Sequence, residues 1–209
     1  MSVADAAAAP GELETGDRPR AALLLTRFSW VALLLALDLW SKAAVFAWLQ
    51  PLADRGELPL HQDCGLLAHP RYPIAGEWLA FMLSRNPGAA FGKLGDWPWL
   101  LVSGRILAAL FLGWLILRTS SRKPWVAAAC VLILGGALGN LYDNLLLGLP
   151  HDGRPFGPVR DFIDVYFRFL DWHFPTFNVA DSCISVGAGI LVVSGLFGRK
   201  HEAGPAPAG

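Results

Sequence analysis

Charge is scarce in this chain and neither sign prevails. Seventeen Lys and Arg face 17 Asp and Glu in 209 residues, and charged residues make up only 16%. No basic surplus is available to neutralise phosphates, which excludes a nucleic-acid partner. Cysteine is also sparse. Cys64, Cys130 and Cys183 offer no disulfide framework, since two fall in apolar stretches and Cys64 has no evident partner. The histidines (His61, His69, His151, His173, His201) are scattered without ligand spacing such as H-x-x-x-H. That argues against a metal site, and no cofactor is implied.

What the chain does contain is apolar sequence: 54% hydrophobic residues and a mean hydropathy of +0.43. This suits a small polytopic membrane protein rather than a soluble domain. Four stretches have the roughly 20-residue length that crosses ~30 Å of hydrocarbon. They are expected at about 28–49, 98–117, 125–147 and 177–197, joined by outer connections 50–97 and 148–176. The first is no cleavable leader, because Asp38 and Lys42 interrupt it and no small-residue cleavage site follows. Trp97, Trp99, Trp125 and Trp172 fall near span ends, where indoles favour the membrane–water interface. The Ala/Gly/Pro-rich tails, 1–27 and 198–209, read as disordered at their extremities.

Basic residues orient the spans. Arg118, Arg122 and Lys123 occupy one short connection with no acid, and Arg18, Arg20, Arg27, Arg199 and Lys200 flank the outermost spans. The positive-inside rule makes these ends, and both termini, cytoplasmic. The connection 50–97 is rich in Pro and Gly, with some alternation near Trp78–Phe81, and reads as short strands or irregular chain on the membrane surface.

With that orientation the intramembrane polar residues converge. Asp38 and Lys42 lie late in span one, Asn140 and Asp143 late in span three, and Asn178 and Asp181 open span four. Asp161 lies in the loop before span four. All gather in the outer half. Each pair is spaced i,i+3 or i,i+4 and so shares a helix face. Gly135, Gly136 and Gly139 allow close helix approach one turn away. Plain structural readings compete. Asp38/Lys42 suits an ion pair, Asn140/Asp143 a supporting network, Arg105 a snorkelling or helix-interface residue and Asp164 a solvated loop acid. Asp181, with no base within a turn of its own helix, is hardest to assign to structure alone, and ionisable residues in spans are functional candidates.

Two carboxylates within a few ångströms share a proton near neutrality. The ionised one can take a proton from water while the protonated one polarises a scissile carbonyl. That is aspartyl-protease logic without a metal or covalent intermediate. A transporter is a competing reading, but a path needs polar stations through the inner half as well. A non-catalytic protein that binds signal helices is another.

Five blocks resemble the bacterial lipoprotein signal peptidases (signal peptidase II) over roughly 28–197. Asp38-Leu39-Trp40-Ser41-Lys42 resembles D-x-x-S/T-K, and Asn86-Pro87-Gly88-Ala89-Ala90-Phe91-Gly92 resembles N-x-G-A-A-F-G/S. Gly135 to Asp143 resembles G-G-A-x-G-N-x-x-D, Val159 to Ile163 resembles V-x-D-F-I, and Phe177 to Ser182 resembles F-N-x-A-D-S/T. The resemblance implies an all-α membrane protein, a four-span bundle with a small extracytoplasmic β-cradle. It implies Asp161 and Asp181 as catalytic dyad, with Asp38, Lys42, Asn86, Gly88, Asn140, Asp143, Asn178 and Ala180 supporting the site or binding substrate. It further implies an inner-membrane enzyme, a monomer among lipids, that cuts diacylglyceryl-modified prolipoproteins before the lipidated Cys and is inhibited by globomycin. Two departures stand out. Asn144 occupies a position where the family usually has Arg, a charge that Arg160 or Arg154 could supply. About nine extra residues lie around 150–158 and read as a surface loop. The tail before span one is also long for the family.

Overall fold

The computed structural model describes residues 20–62, 68–88, 97–147 and 155–198. Of the tail expected to be disordered over 1–27, residues 20–27 are helical, which corrects that expectation; residues 1–19 and 199–209, Cys64, Ala89–Gly92 of the second block, and most of the inserted segment with Arg154 lie outside the described residues. Among the described residues, four helices are long and apolar enough to cross a membrane. Helix α1 (Arg20–Asp54) has 35 residues, a length of roughly 50 Å, and so extends well past the hydrocarbon thickness. Helices α2 (Pro98–Arg118) and α3 (Pro124–Tyr142) each start on a proline, whose missing N–H is harmless in a first turn. A π-helical turn, Asp143–Leu147, continues α3. Helix α4 spans Val179–Gly198.

The description all-α needs correcting. Between the helices runs a five-stranded antiparallel sheet, β1 (Leu60–Gln62), β2 (Ala68–Ala75), β3 (Leu79–Asn86), β4 (Val159–Phe167) and β5 (Trp172–His173), in sequence order. It draws on both long connections. Asp161 therefore sits in a strand and not in a loop. The reason is legible afterwards: β-branched and aromatic residues recur along Val159–Phe167, as suits a strand wedged against helices. The sheet curls until its edges meet, with His61 of β1 and His173 of β5 2.5 Å apart at their Nε2 atoms. Asp164 is another correction. It is fully buried, accepts from Arg71 Nε at 2.7 Å and lies 2.8 Å from His173 Nδ1.

Helix α3 is the centre of the bundle, packed by α1, α2 and α4. Its glycines set the spacing. A Cβ on Gly136 would run into the Ala180 carbonyl, and one on Gly139 into the Asp38 carboxylate. Two apolar clusters bracket the site. Val31, Leu112, Ile116, Cys130, Val131 and Leu134 fill the bundle's far half. Val45, Phe46, Leu49, Leu83 and Phe162 seal α1 to the sheet. At the far end Arg27, 6% exposed, donates to the Ile116, Thr119 and Ser120 carbonyls, closing the C-terminus of α2 onto α1. Cys130 and Cys183 are buried free thiols.

Candidate active site

Between the two apolar clusters lies a layer of buried polar side chains: Asp38, Lys42, Asn140, Asp143, Asn144, Asp161 and Asn178, each at most 3% exposed. Such groups are tolerated only when they satisfy one another. Lys42 Nζ lies 2.7 Å from Asp38 Oδ2, 3.4 Å from Asp143 Oδ2 and donates to Asn140 Oδ1 at 2.9 Å. Asp38 also accepts from the Ala180 N–H at 2.8 Å, tying α1 to the first turn of α4. Asp143 accepts from Arg160 Nη2 at 2.8 Å and from the Arg160 backbone N–H at 3.0 Å, which fixes β4 against the end of α3.

Asn178 and Asp181 form a reciprocal cap. Asn178 Oδ1 accepts the Asp181 N–H at 2.9 Å, and Asp181 Oδ2 accepts the Asn178 N–H at 3.1 Å. This is a capping box, which satisfies the orphan donors of a helix start. The i,i+3 spacing thus reflects a helix entry rather than a mid-helix face, because Asn178 precedes the helix. Asp181 Oδ1 accepts from Asn140 Nδ2 at 2.8 Å. Asp161 Oδ1 accepts from Asn178 Nδ2 at 2.6 Å, and Asn178 Nδ2 also reaches Asn140 Oδ1 at 3.1 Å. One amide frame therefore holds both carboxylates, one from β4 and one from α4. Asp181 is half-buried and the more accessible of the two.

Burial raises the Asp161 carboxyl, and the charge of Asp181 raises it further, to about 7. Hydrogen bonds from Asn86 and Asn178 and the charge of Lys42 oppose the shift. Asn86 reaches Asp161 from the end of β3, and its Oδ1 accepts the Gly88 N–H at 2.9 Å, which turns the chain away. Every residue expected at the site thus lies in or beside one network. Arg160 belongs to it as well. As the possible substitute for a charge at 144 it is already committed to Asp143. Of its two readings Arg105 takes the helix-interface one: its Nη1 donates to Asn144 Oδ1, joining α2 to the turn that continues α3. A lone Arg in an otherwise apolar stretch was the signal. Among the described residues no group of three metal-ligating side chains converges. Among the described residues the far half holds the apolar cluster around Val31 and Leu134.

A four-span frame carrying a curled sheet and a buried carboxylate network defines a polytopic membrane enzyme. Two solved bacterial membrane enzymes share the fold. One has a TM-score of 0.63 at 21% identity, covering 88% of this chain and 94% of the other, and the second a TM-score of 0.57 at 22% identity, covering 82% and 93%. Residues 30–197 match the family model described as signal peptidase (SPase) II. Lipoprotein signal peptidases are similar in sequence. That of Pseudomonas fluorescens is 36% identical over 68% of this chain and 79% of its own length. That of Pseudomonas aeruginosa is 35% identical over 78% and 89%, and that of Teredinibacter turnerae 41% over 65% and 76%. This chain belongs to the signal peptidase II family of aspartic-type peptidases.

Proposed function

We propose that this protein removes signal peptides from diacylglyceryl-modified prolipoproteins, cutting before the lipidated Cys, with Asp161 and Asp181 as its catalytic pair. The observation that carries the reading is the shared Asn140–Asn178 frame, which holds an Asp161 carboxyl pushed up to about 7 beside Asp181. Asp181, taking hydrogen bonds from an amide and a backbone N–H, serves as the ionised base that draws a proton from water. Asp161 carries the pair's proton and donates it in a hydrogen bond to the scissile carbonyl. Water adds, the tetrahedral intermediate forms, and a proton passes to the leaving amine. Lys42, Asp38, Asp143 and Arg160 hold the frame. Asn86, Gly88, Asn178 and Ala180 border the place where substrate would lie.

The site faces the extracytoplasmic side, where a signal helix and two acyl chains approach laterally from lipid, and the curled sheet forms the cradle over it. The enzyme works as a monomer in the inner membrane and binds globomycin. The deciding experiment is cleavage of a diacylglyceryl-prolipoprotein by the purified protein in detergent, with and without globomycin, beside Asp161→Asn and Asp181→Asn. Cleavage that is blocked by globomycin and lost in both variants supports the reading. Undiminished cleavage by either variant removes the dyad.

A further inference from the structure

Helix α2 carries a charge that its own apolar sequence does not explain. Apart from Arg118 at its end, Arg105 is its only ionisable residue, and the neighbours on α2 face outward as exposed Ile106, Leu107, Leu110 and Phe111. Arg105 turns the other way. Its guanidinium donates to Asn144 Oδ1, and Asn144 is oriented to receive it, since Asn144 Nδ2 donates to the Gly157 carbonyl at 2.7 Å. The Gly157 N–H returns a bond to the Asn144 carbonyl at 3.0 Å. Asn144 is thus a fixed socket, 3% exposed, between α2 and the segment that leads into β4.

The charges around this socket come from every element packed there: Asp38 and Lys42 on α1, Asp143 on the π-turn, Arg160 and Asp161 on β4, and Asp181 on α4. Arg105 interacts electrostatically with Asp181, then Asp161, then Asp143. Lys42 and Arg160 are spent on Asp38 and Asp143. A carboxylate pair sharing one proton keeps one net negative charge; the charge of Lys42 also reaches Asp161, but Lys42 is paired with Asp38 and Asp143, whereas Arg105 is bonded to a neutral amide. In a water-poor layer an uncompensated charge is costly, so this pairing matters more than it would on a surface.

We propose that Arg105, seated on Asn144, is a positioning residue that balances the negative charge of the Asp161/Asp181 pair and thereby sets the pH range over which the pair shares its proton. The proposal rests on the catalytic reading of that pair.

The test is the pH profile of kcat for diacylglyceryl-prolipoprotein cleavage by full-length enzyme in detergent, for wild type, Arg105→Gln, Arg105→Gln/Asn144→Arg and Asp181→Asn. Losing the cation makes both carboxylates harder to ionise. Arg105→Gln is therefore expected to move both limbs of the profile to higher pH and to lower kcat roughly tenfold to a hundredfold, the range seen when a partner that tunes a reacting group is removed. Restoring a guanidinium at 144 is expected to return the limbs toward wild type, which a merely structural role for Arg105 would not produce. A folded Arg105→Gln enzyme with unmoved limbs, beside an inactive Asp181→Asn, overturns this inference and leaves the dyad standing. An active Asp181→Asn overturns the dyad instead. Should Arg105→Gln not fold, Asn144→Ala, which removes the socket, gives the same readout: limbs moved upward support the inference, and unmoved limbs overturn it.

Discussion

At the scale of single residues, Asp161 sets two effects of opposite value. Its carboxyl, raised to about 7 mainly by burial and then by Asp181, holds a proton that an unfolded chain would release near pH 4. The native state thus binds more protons than the unfolded state between those values. The contribution of this group is fully present below about pH 4 and is lost as pH rises through about 7. Asp161→Asn keeps the acceptor for Asn178 and removes the ionisation. It is expected to melt higher than wild type at pH 8 by differential scanning fluorimetry, with the gap closing toward pH 4, while cleavage falls roughly 10²- to 10⁴-fold. A wild-type enzyme as stable as the variant at pH 8 would contradict the assignment. Under the proposed mechanism the same proton governs rate, and kcat is expected to decline as pH rises through about 7, when the pair loses its shared proton. Asp143 offers a contrast. It is fully buried, pairs with Arg160 and lies 3.4 Å from Lys42, so Asp143→Ala strands Arg160 and leaves Lys42 to Asp38 alone. The expected cost is about 3–5 kcal/mol of stability, read by chemical denaturation in mild detergent, and a loss under 1 kcal/mol would show that water already relieves those charges.

At the scale of elements, the close seams of α3 make a sharp demand. Gly136 abuts the Ala180 backbone carbonyl, which cannot rotate away, so Gly136→Ala must separate α3 from α4 at the level of the capping box. Activity is expected to fall more than thermal stability, because Asp181 moves with α4 while the apolar cluster around Val31 persists. A variant that loses both in proportion would place the damage in folding instead. The curled sheet has its own pH response. Burial first, and then the charges of His173 and Arg71, lower the His61 pKa, while Asp164 opposes them. A lowered imidazole value means the neutral form is favoured when folded, so the clasp between β1 and β5 is intact above the ordinary histidine range and weakens as pH falls through the lowered value. Much of this architecture was legible in the sequence, and the part that was not has a clear cause. Span composition exposed all four helices, because lipid imposes long apolar runs. The strand holding Asp161 was hidden because its alternation is broken by charges that point inward: Asp161 and Asp164 are both buried, where period-two reasoning places apolar residues. Burial of Asp164 depends on Arg71, 93 residues away in sequence, and no local pattern announces such a partner.

At the scale of the whole molecule, the polar layer and the basic start of α1 lie at opposite ends of the bundle, and that separation is the basis of the expected orientation. Arg20 and Arg27 at the start of α1 meet the end of α2 and the connection that holds Arg122 and Lys123, with Arg20 and Arg27 donating to carbonyls there. The sheet and the carboxylate network occupy the other end. Convergence of Asp38, Asn140, Asp143 and Asp181 was visible in the sequence because alternating spans fold late and early segments to one side. The Arg105–Asn144 bond was not visible, since spacing within one helix says nothing of which neighbour a long side chain will reach. The positive-inside rule predicts a cytoplasmic basic end and a sheet outside. Single cysteines decide this, in a background with Cys64, Cys130 and Cys183 replaced. Glu77→Cys, on the exposed turn between β2 and β3, is expected to react with a membrane-impermeant maleimide in cells whose outer membrane has been opened. Ser121→Cys, between α2 and α3, is expected to react only after the inner membrane is broken as well. The reverse pattern would put the carboxylate pair on the cytoplasmic face, where a signal helix inserted with its cleavage site outside could not reach it.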